Sequence, residues 1–149
     1  MRAVVQRVSE ASVAIEGRVV GRCGRGVMVL VGVSPADGTR EAGWLADKVA
    51  NLRIFADDDG KMNRSLLDVS GSALVVSQFT LYGDARKGRR PSFIRAAEGP
   101  EAEAVYRGVV DALRTLGVTC ETGEFGAMMD VALVNEGPVT ILLDSDKTF

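Results

Sequence analysis

Ala73-Leu74-Val75-Val76-Ser77-Gln78-Phe79-Thr80 is the stretch on which the reading of this chain turns. Four apolar residues run straight into a serine, a glutamine and, after one aromatic, a threonine. A short unbroken apolar run reads as a buried strand, and this one delivers two hydroxyls and an amide to its end. A Ser or Thr at such a place invites a nucleophile, and a hydroxyl nucleophile normally needs histidine as its base. The 149 residues contain no histidine. Chemistry at this strand end is left to backbone amides, a lysine or carboxylate, or a group on the substrate.

A second apolar run, Val27 to Val33, also suits a buried strand. Before it, Met1–Val8, Ser12–Glu16 and Arg18–Cys23 carry strand signals, with Gly17 at a turn. Ser34-Pro35-Ala36-Asp37-Gly38 then breaks the pattern. A helix is expected over Thr39–Leu52, capped by Thr39, with Leu45, Val49 and Leu52 on one face and Trp44 packing beside them. Arg53–Ala56 is a short strand. Asp57-Asp58-Asp59-Gly60-Lys61 lacks the alternation and distal Glu of a calcium loop and reads as a solvated hairpin turn. Pro100 suits the first turn of a second helix, whose stripe of Val105, Val109, Ala112, Leu113 and Leu116 ends at Gly117. Three strands close the chain: Val118–Thr122, the alternating Met129–Asn135, and Val139–Leu143. Glu136-Gly137-Pro138 reads as the turn between the last two. The expected fold class is α+β, a curled, mostly antiparallel and barrel-like sheet system with two α-helices, in one domain over residues 1–149.

Hydrophobic residues at 46% and charged residues at 26% belong to a soluble globular protein with a real core. The apolar runs are too short to span a bilayer, and the N-terminus lacks a signal-peptide pattern, so a cytoplasmic location is expected. Cys23 and Cys120 form no Cys-x-x-Cys pair and have no histidine to complete a zinc site; two reduced core thiols are expected. Net charge is -2, which opposes blanket attraction to nucleic acid. Yet Arg86, Lys87, Arg89, Arg90 and Arg95 cluster in a segment whose only acid is Asp84, enough to contact a few phosphates.

Four segments could carry chemistry, and each has a bland alternative. Ser77 to Thr80 is either ordinary strand-end hydrogen bonding or a catalytic edge, with backbone N–H groups forming an oxyanion hole. Asn135-Glu136-Gly137-Pro138-Val139-Thr140 is a plain turn or, with a cis X-Pro bond, a rigid backbone recognition surface. Gly88-Arg89-Arg90-Pro91-Ser92-Phe93 is a solvated loop or a phosphate contact, with Phe93 packed beneath it or against a base. Phe125-Gly126-Ala127-Met128-Met129 is core or the wall of an aromatic ligand site.

Together these segments resemble the D-aminoacyl-tRNA deacylases, in order and over essentially the whole chain. The family pattern appears as Ser77 to Leu81, Lys87 to Phe93 and Asn135 to Thr140. Val5-Gln6-Arg7-Val8, Ala11-Ser12-Val13 and Gly60-Lys61-Met62-Asn63 also look like it. One departure is Met128, where the family commonly carries Asp beside the adenosine pocket. The resemblance implies a deacylase-like fold and a homodimer, with no metal and no organic cofactor. It implies hydrolysis of the ester joining a D-amino acid, or glycine, to the 3'-terminal adenosine of tRNA. Ser77, Gln78, Phe79 and Thr80 would then carry catalysis, with Phe125, Ala127 and Met129 binding substrate. Gly137-Pro138 would be a cis pair reaching into the partner's site to exclude L side chains. Independently of the resemblance, the basic loop's own residues Lys87, Arg89 and Arg90 are the candidates to meet phosphates of such a tRNA acceptor end. Two mechanisms stay open, attack by Thr80 or substrate assistance by the adenosine 2'-hydroxyl. Two rival functions stay open as well: an RNA-binding module, and a small-molecule esterase using Thr80.

Overall fold

The apolar run that begins at Val27 lies in the middle of a curled sheet. In the computed structural model, which describes residues 1–149, the chain opens with β1 (Arg2–Ile15), β2 (Arg18–Cys23) and β3 (Gly26–Gly32). Then come α1 (Thr39–Asn51), β4 (Phe55–Ala56), β5 (Met62–Arg64) and β6 (Ser72–Ser77). A 3-10 turn (Phe79–Tyr82) follows, then α2 (Gly99–Thr115), β7 (Thr119–Thr122) and β8 (Asp130–Asp144). The main sheet runs β2-β1-β3-β6-β7, with β8 on the other edge of β1. β4 and β5 form a separate hairpin around the acidic turn.

β3 is buried on both faces, which explains why its sequence does not alternate. Val27, Val29 and Val31 face the larger core beneath the two helices. Met28 faces a smaller core inside the curl with Val8, Val13, Leu74 and Val76. Burying one such side chain is worth about 1.5–3 kcal/mol, so β3 and β6 are the hydrophobic centre of the fold. They pair in parallel, as β6 and β7 do, while β1 pairs antiparallel with β2, β3 and β8. Each parallel pair needs a long crossover. The chain through α1 supplies the first and α2 the second. The sheet curls until β2 approaches β7, and there the Arg22 N–H donates to Glu121 Oε2 at 2.5 Å. A carboxylate thus bridges two edges that do not share a ladder, which gives the barrel-like closure.

Three details differ from the sequence reading. Met1–Val8 and Ser12–Glu16 are one long strand, β1. The expected C-terminal pair is also one strand, β8, and Glu136-Gly137-Pro138 is no reversal. Gln6 pairs with Thr140 and Val8 with Asn135, so residues 136–139 bulge out opposite Arg7 alone. Finally, Gly38 rather than Thr39 caps α1, and its N–H donates to Glu41 Oε2 at 2.9 Å.

Candidate active site

β6 ends at Ser77, which pairs with Val31 of β3. The Gln78 N–H still reaches the Val31 carbonyl at 2.7 Å, and then the chain turns. Leu81 N–H bonds to Gln78 O at 3.3 Å and Gly83 N–H to Thr80 O at 2.9 Å. The N–H groups of Phe79 and Thr80 therefore head the 3-10 turn, where a helical segment has no acceptors of its own. Beside this strand end opens a cleft of about 530 Å³, within the range of small-molecule sites. Ser77, Gln78 and Phe79 form one wall, Phe125 to Met129 another, and Val33, Val76 and Ala102 also line it. Glu98 is the only charged lining residue. Phe125 is braced from below by Tyr106, with ring centroids 5.9 Å apart. The Tyr106 hydroxyl donates to Val75 O at 2.8 Å, and burial pushes its pKa well up, keeping it a neutral donor.

The structure thus brings Ser77, Gln78, Phe79, Phe125, Ala127 and Met129 together. Thr80 is exposed and does not line the cleft. Its hydroxyl accepts a hydrogen bond from the Gln78 side-chain amide and has no base beside it. The cysteines supply no alternative nucleophile. Both are buried, and burial pushes each thiol up to about 11, so neither is a thiolate at neutral pH.

Gly137 and Pro138 stand exposed on the bulge of β8, away from this chain's own cleft. Their peptide bond is cis. The bulge is held from beneath. Arg7 Nε donates to Glu136 O at 3.0 Å and Arg7 Nη1 to Ile54 O at 2.6 Å. Val139 N–H donates to Asn135 Oδ1 at 2.8 Å. Gly137 has φ +136°, and a Cβ there would lie 2.8 Å from Val139 Cγ2 and 3.0 Å from Arg7 Nη2. Glycine is the residue this position accepts without strain.

A model of the D-Tyr-tRNA(Tyr) deacylase family matches residues 4–144. The chain belongs to this family. It is 65% identical over 145 residues to a D-aminoacyl-tRNA deacylase of Thermomicrobium roseum, covering 97% of this chain and 94% of that one. It is 58% identical over 149 residues to a D-aminoacyl-tRNA deacylase of Thermotoga petrophila, covering 100% of each. Among solved structures, the c-Myc DNA Unwinding Element Binding Protein superposes with a TM-score of 0.91 at 41% identity, over 97% of this chain and 99% of that one. A second, "Structural Analysis of a probable eukaryotic D-amino acid tRNA deacylase", has a TM-score of 0.81 at 20% identity, over 95% and 97%, and bears on the fold alone.

In this member of the deacylase family, Lys87, Arg89 and Arg90 lie on an exposed loop with a cleft of its own. Phe93, next to that loop, meets Phe79 edge-on at 5.1 Å, so it packs against an aromatic of the site turn. Sequence reasoning missed Glu98 and Gly99, which bring the N-terminus of α2 to the cleft rim. Pro100 marks where that helix starts. Only the tertiary bond from Ala97 N–H to Val33 O, 2.8 Å, places the start beside β3.

Proposed function

We propose that this chain is a single-domain enzyme that hydrolyses the ester of D-aminoacyl-tRNA, and of glycyl-tRNA, releasing the amino acid and tRNA. The observation that carries the reading is the mostly apolar cleft at the Ser77–Phe79 strand end, whose only charged lining residue is Glu98, in a chain without histidine. In a deacylase family member, that cleft takes the terminal adenosine against Phe125, Ala127 and Met129. The ester carbonyl then lies toward the N–H groups of Phe79 and Thr80, which stabilise the oxyanion as water adds to the carbonyl carbon. The adenosine 2'-hydroxyl orients and activates that water. The bond to the 3'-oxygen breaks, and that oxygen takes up a proton. An aminoacyl ester is already labile, so positioning and oxyanion stabilisation suffice.

Selection against L-amino acids then belongs to Gly137-Pro138 of a second copy in a homodimer. Backbone carbonyls beside the α-carbon tolerate hydrogen and reject a side chain, so D-amino acids pass without a side-chain pocket, and glycine passes as the achiral case. The exposure of both residues on a braced bulge supports this role. No helix is long and apolar enough to cross a membrane, and a tRNA substrate points to the cytoplasm.

The test is deacylation of D-tyrosyl-, glycyl- and L-tyrosyl-tRNA by the purified protein. The first two esters are expected to disappear well ahead of the third. Loss of D-tyrosyl-tRNA no faster than in buffer would exclude the activity.

A further inference from the structure

The loop from Asp84 to Ser92 is pinned at its base, where Asp84 N–H donates to Ser92 O at 2.8 Å and Ser92 N–H to Asp84 O at 2.9 Å. A cleft of about 590 Å³ is lined by Asp84, Arg86, Lys87, Arg90 and Ser92, with no apolar side chain. Arg86 is already committed. Its Nε donates to the two Asp84 oxygens at 2.9 and 3.0 Å, and its Nη2 to Oδ2 at 2.5 Å. Its backbone N–H donates to Asp84 Oδ1 at 3.0 Å. The Arg86 guanidinium holds the Asp84 carboxyl well below the usual carboxylate range, so the pair stays ionised. These bonds fix the first turn of the loop and cancel one positive charge.

Lys87 and Arg90 are left as exposed cations of the cleft, and neither takes part in an ion pair. Ser92 adds a hydroxyl. Arg89 is exposed but does not line the cleft. Two free cations and a hydroxyl around a wholly polar space suit the oxygens of a phosphodiester, and nothing there would hold a base. Phe93, packed on Phe79, mounts this loop on the turn that edges the candidate active site.

We propose that this cleft seats a backbone phosphate of the tRNA acceptor strand through Lys87, Arg90 and Ser92, and that the Asp84–Arg86 pair is the staple that shapes the seat. The proposal rests on the deacylase reading above and assigns it a second point of contact with the same substrate. It makes an unusual prediction about charge. Asp84→Asn makes the loop more positive, so a simple basic patch would bind tRNA more tightly. A stapled seat binds it more weakly, because freeing Arg86 releases the turn that carries Lys87 and Arg90.

The experiment compares D-tyrosyl-tRNA with D-tyrosyl-adenosine, an ester without phosphates, and follows binding of uncharged tRNA against salt. For the double variant K87A/R90A, KM on the tRNA ester should rise about tenfold more than on the adenosine ester. The slope of log Kd against log salt should become shallower by roughly 0.7–0.9 for each contact removed. D84N should also weaken tRNA binding in a protein whose circular dichroism spectrum matches the wild type. Equal effects of K87A/R90A on the two esters would overturn the phosphate seat. Tighter tRNA binding by D84N would overturn the staple. Unrelated duplex DNA binding as tightly as tRNA would overturn the acceptor-strand assignment. Failure of the deacylase reading is distinct, since the wild type would then leave both esters intact whatever the salt slope shows.

Discussion

Thr80 separates two mechanisms at the scale of one hydroxyl. Its only side-chain partner is the Gln78 amide, which donates to it and cannot take its proton. Removing a required nucleophile costs on the order of a million-fold in a serine protease. Here Thr80→Val should keep deacylation of D-tyrosyl-tRNA within about tenfold of wild type, because in the proposed mechanism backbone N–H groups carry the oxyanion. An acyl adduct trapped on Thr80, or a collapse to the buffer rate in Thr80→Val, would restore the nucleophile. Much of this site was legible in the sequence, since an apolar run ending in Ser77-Gln78-Phe79 announces a strand end. That Thr80 leaves the cleft wall was not. Alternation predicts side-chain direction only within a strand, and the 3-10 turn begins at Phe79.

At the scale of elements, periodicity found both helices and most strands, yet it divided β1 and β8 in two. Each division falls where the two strands lose register with one another, between Gln6 and Glu10 on β1 and at residues 136–139 on β8. Sequence shows the interruption of alternation. Only pairing shows that the chain carries on in the same direction. The parallel pairing of β3 and β6 was equally hidden, because it depends on contacts across the whole of α1. It also leaves a mark that can be tested. Gly26 lies against Ser72 so closely that an added Cβ would sit 1.8 Å from the Ser72 carbonyl oxygen, a backbone atom with little freedom to move. Gly26→Ala should therefore destabilise the protein by about 3 kcal/mol or more, lowering the melting temperature by roughly 10 °C. A melt within about 2 °C of wild type would mean that β3 and β6 are not packed this closely.

Across the whole molecule, several carboxylates titrate low. Arg86 holds Asp84 down, Arg40 Glu41, the Asn63 amide Asp57, and the Ser65 backbone and hydroxyl Asp68. Burial opposes ionisation of Asp144, yet Thr148, the Asp146 N–H and Arg2 outweigh it. A carboxyl whose folded pKa is depressed adds stability above its unfolded value, about 3.9 for Asp and 4.3 for Glu, and loses it as pH falls toward the folded value. With no histidine, stability should be nearly flat from about pH 5 to 8 and should fall below about pH 4. A transition near pH 6.5 in the urea midpoint would contradict this. A different property of the whole molecule bears on the proposed chiral filter. β8 pairs only with β1, which leaves its other edge open for a second copy to cover. If Gly137-Pro138 serves the partner's cleft, two defective chains should repair each other. Ala127→Trp fills the cleft and leaves the bulge intact. Gly137→Val pushes the bulge off Val139 and Arg7, so the displaced bulge obstructs the partner's cleft for either enantiomer while its own chain's cleft stays intact. Each homodimer should hydrolyse D-tyrosyl-tRNA at least about tenfold more slowly than wild type. After unfolding and refolding an equal mixture, half the dimers are mixed and each has one complete site, so about a quarter of wild-type activity should return. If mixed dimers form and no activity returns, the bulge acts within its own chain or not at all.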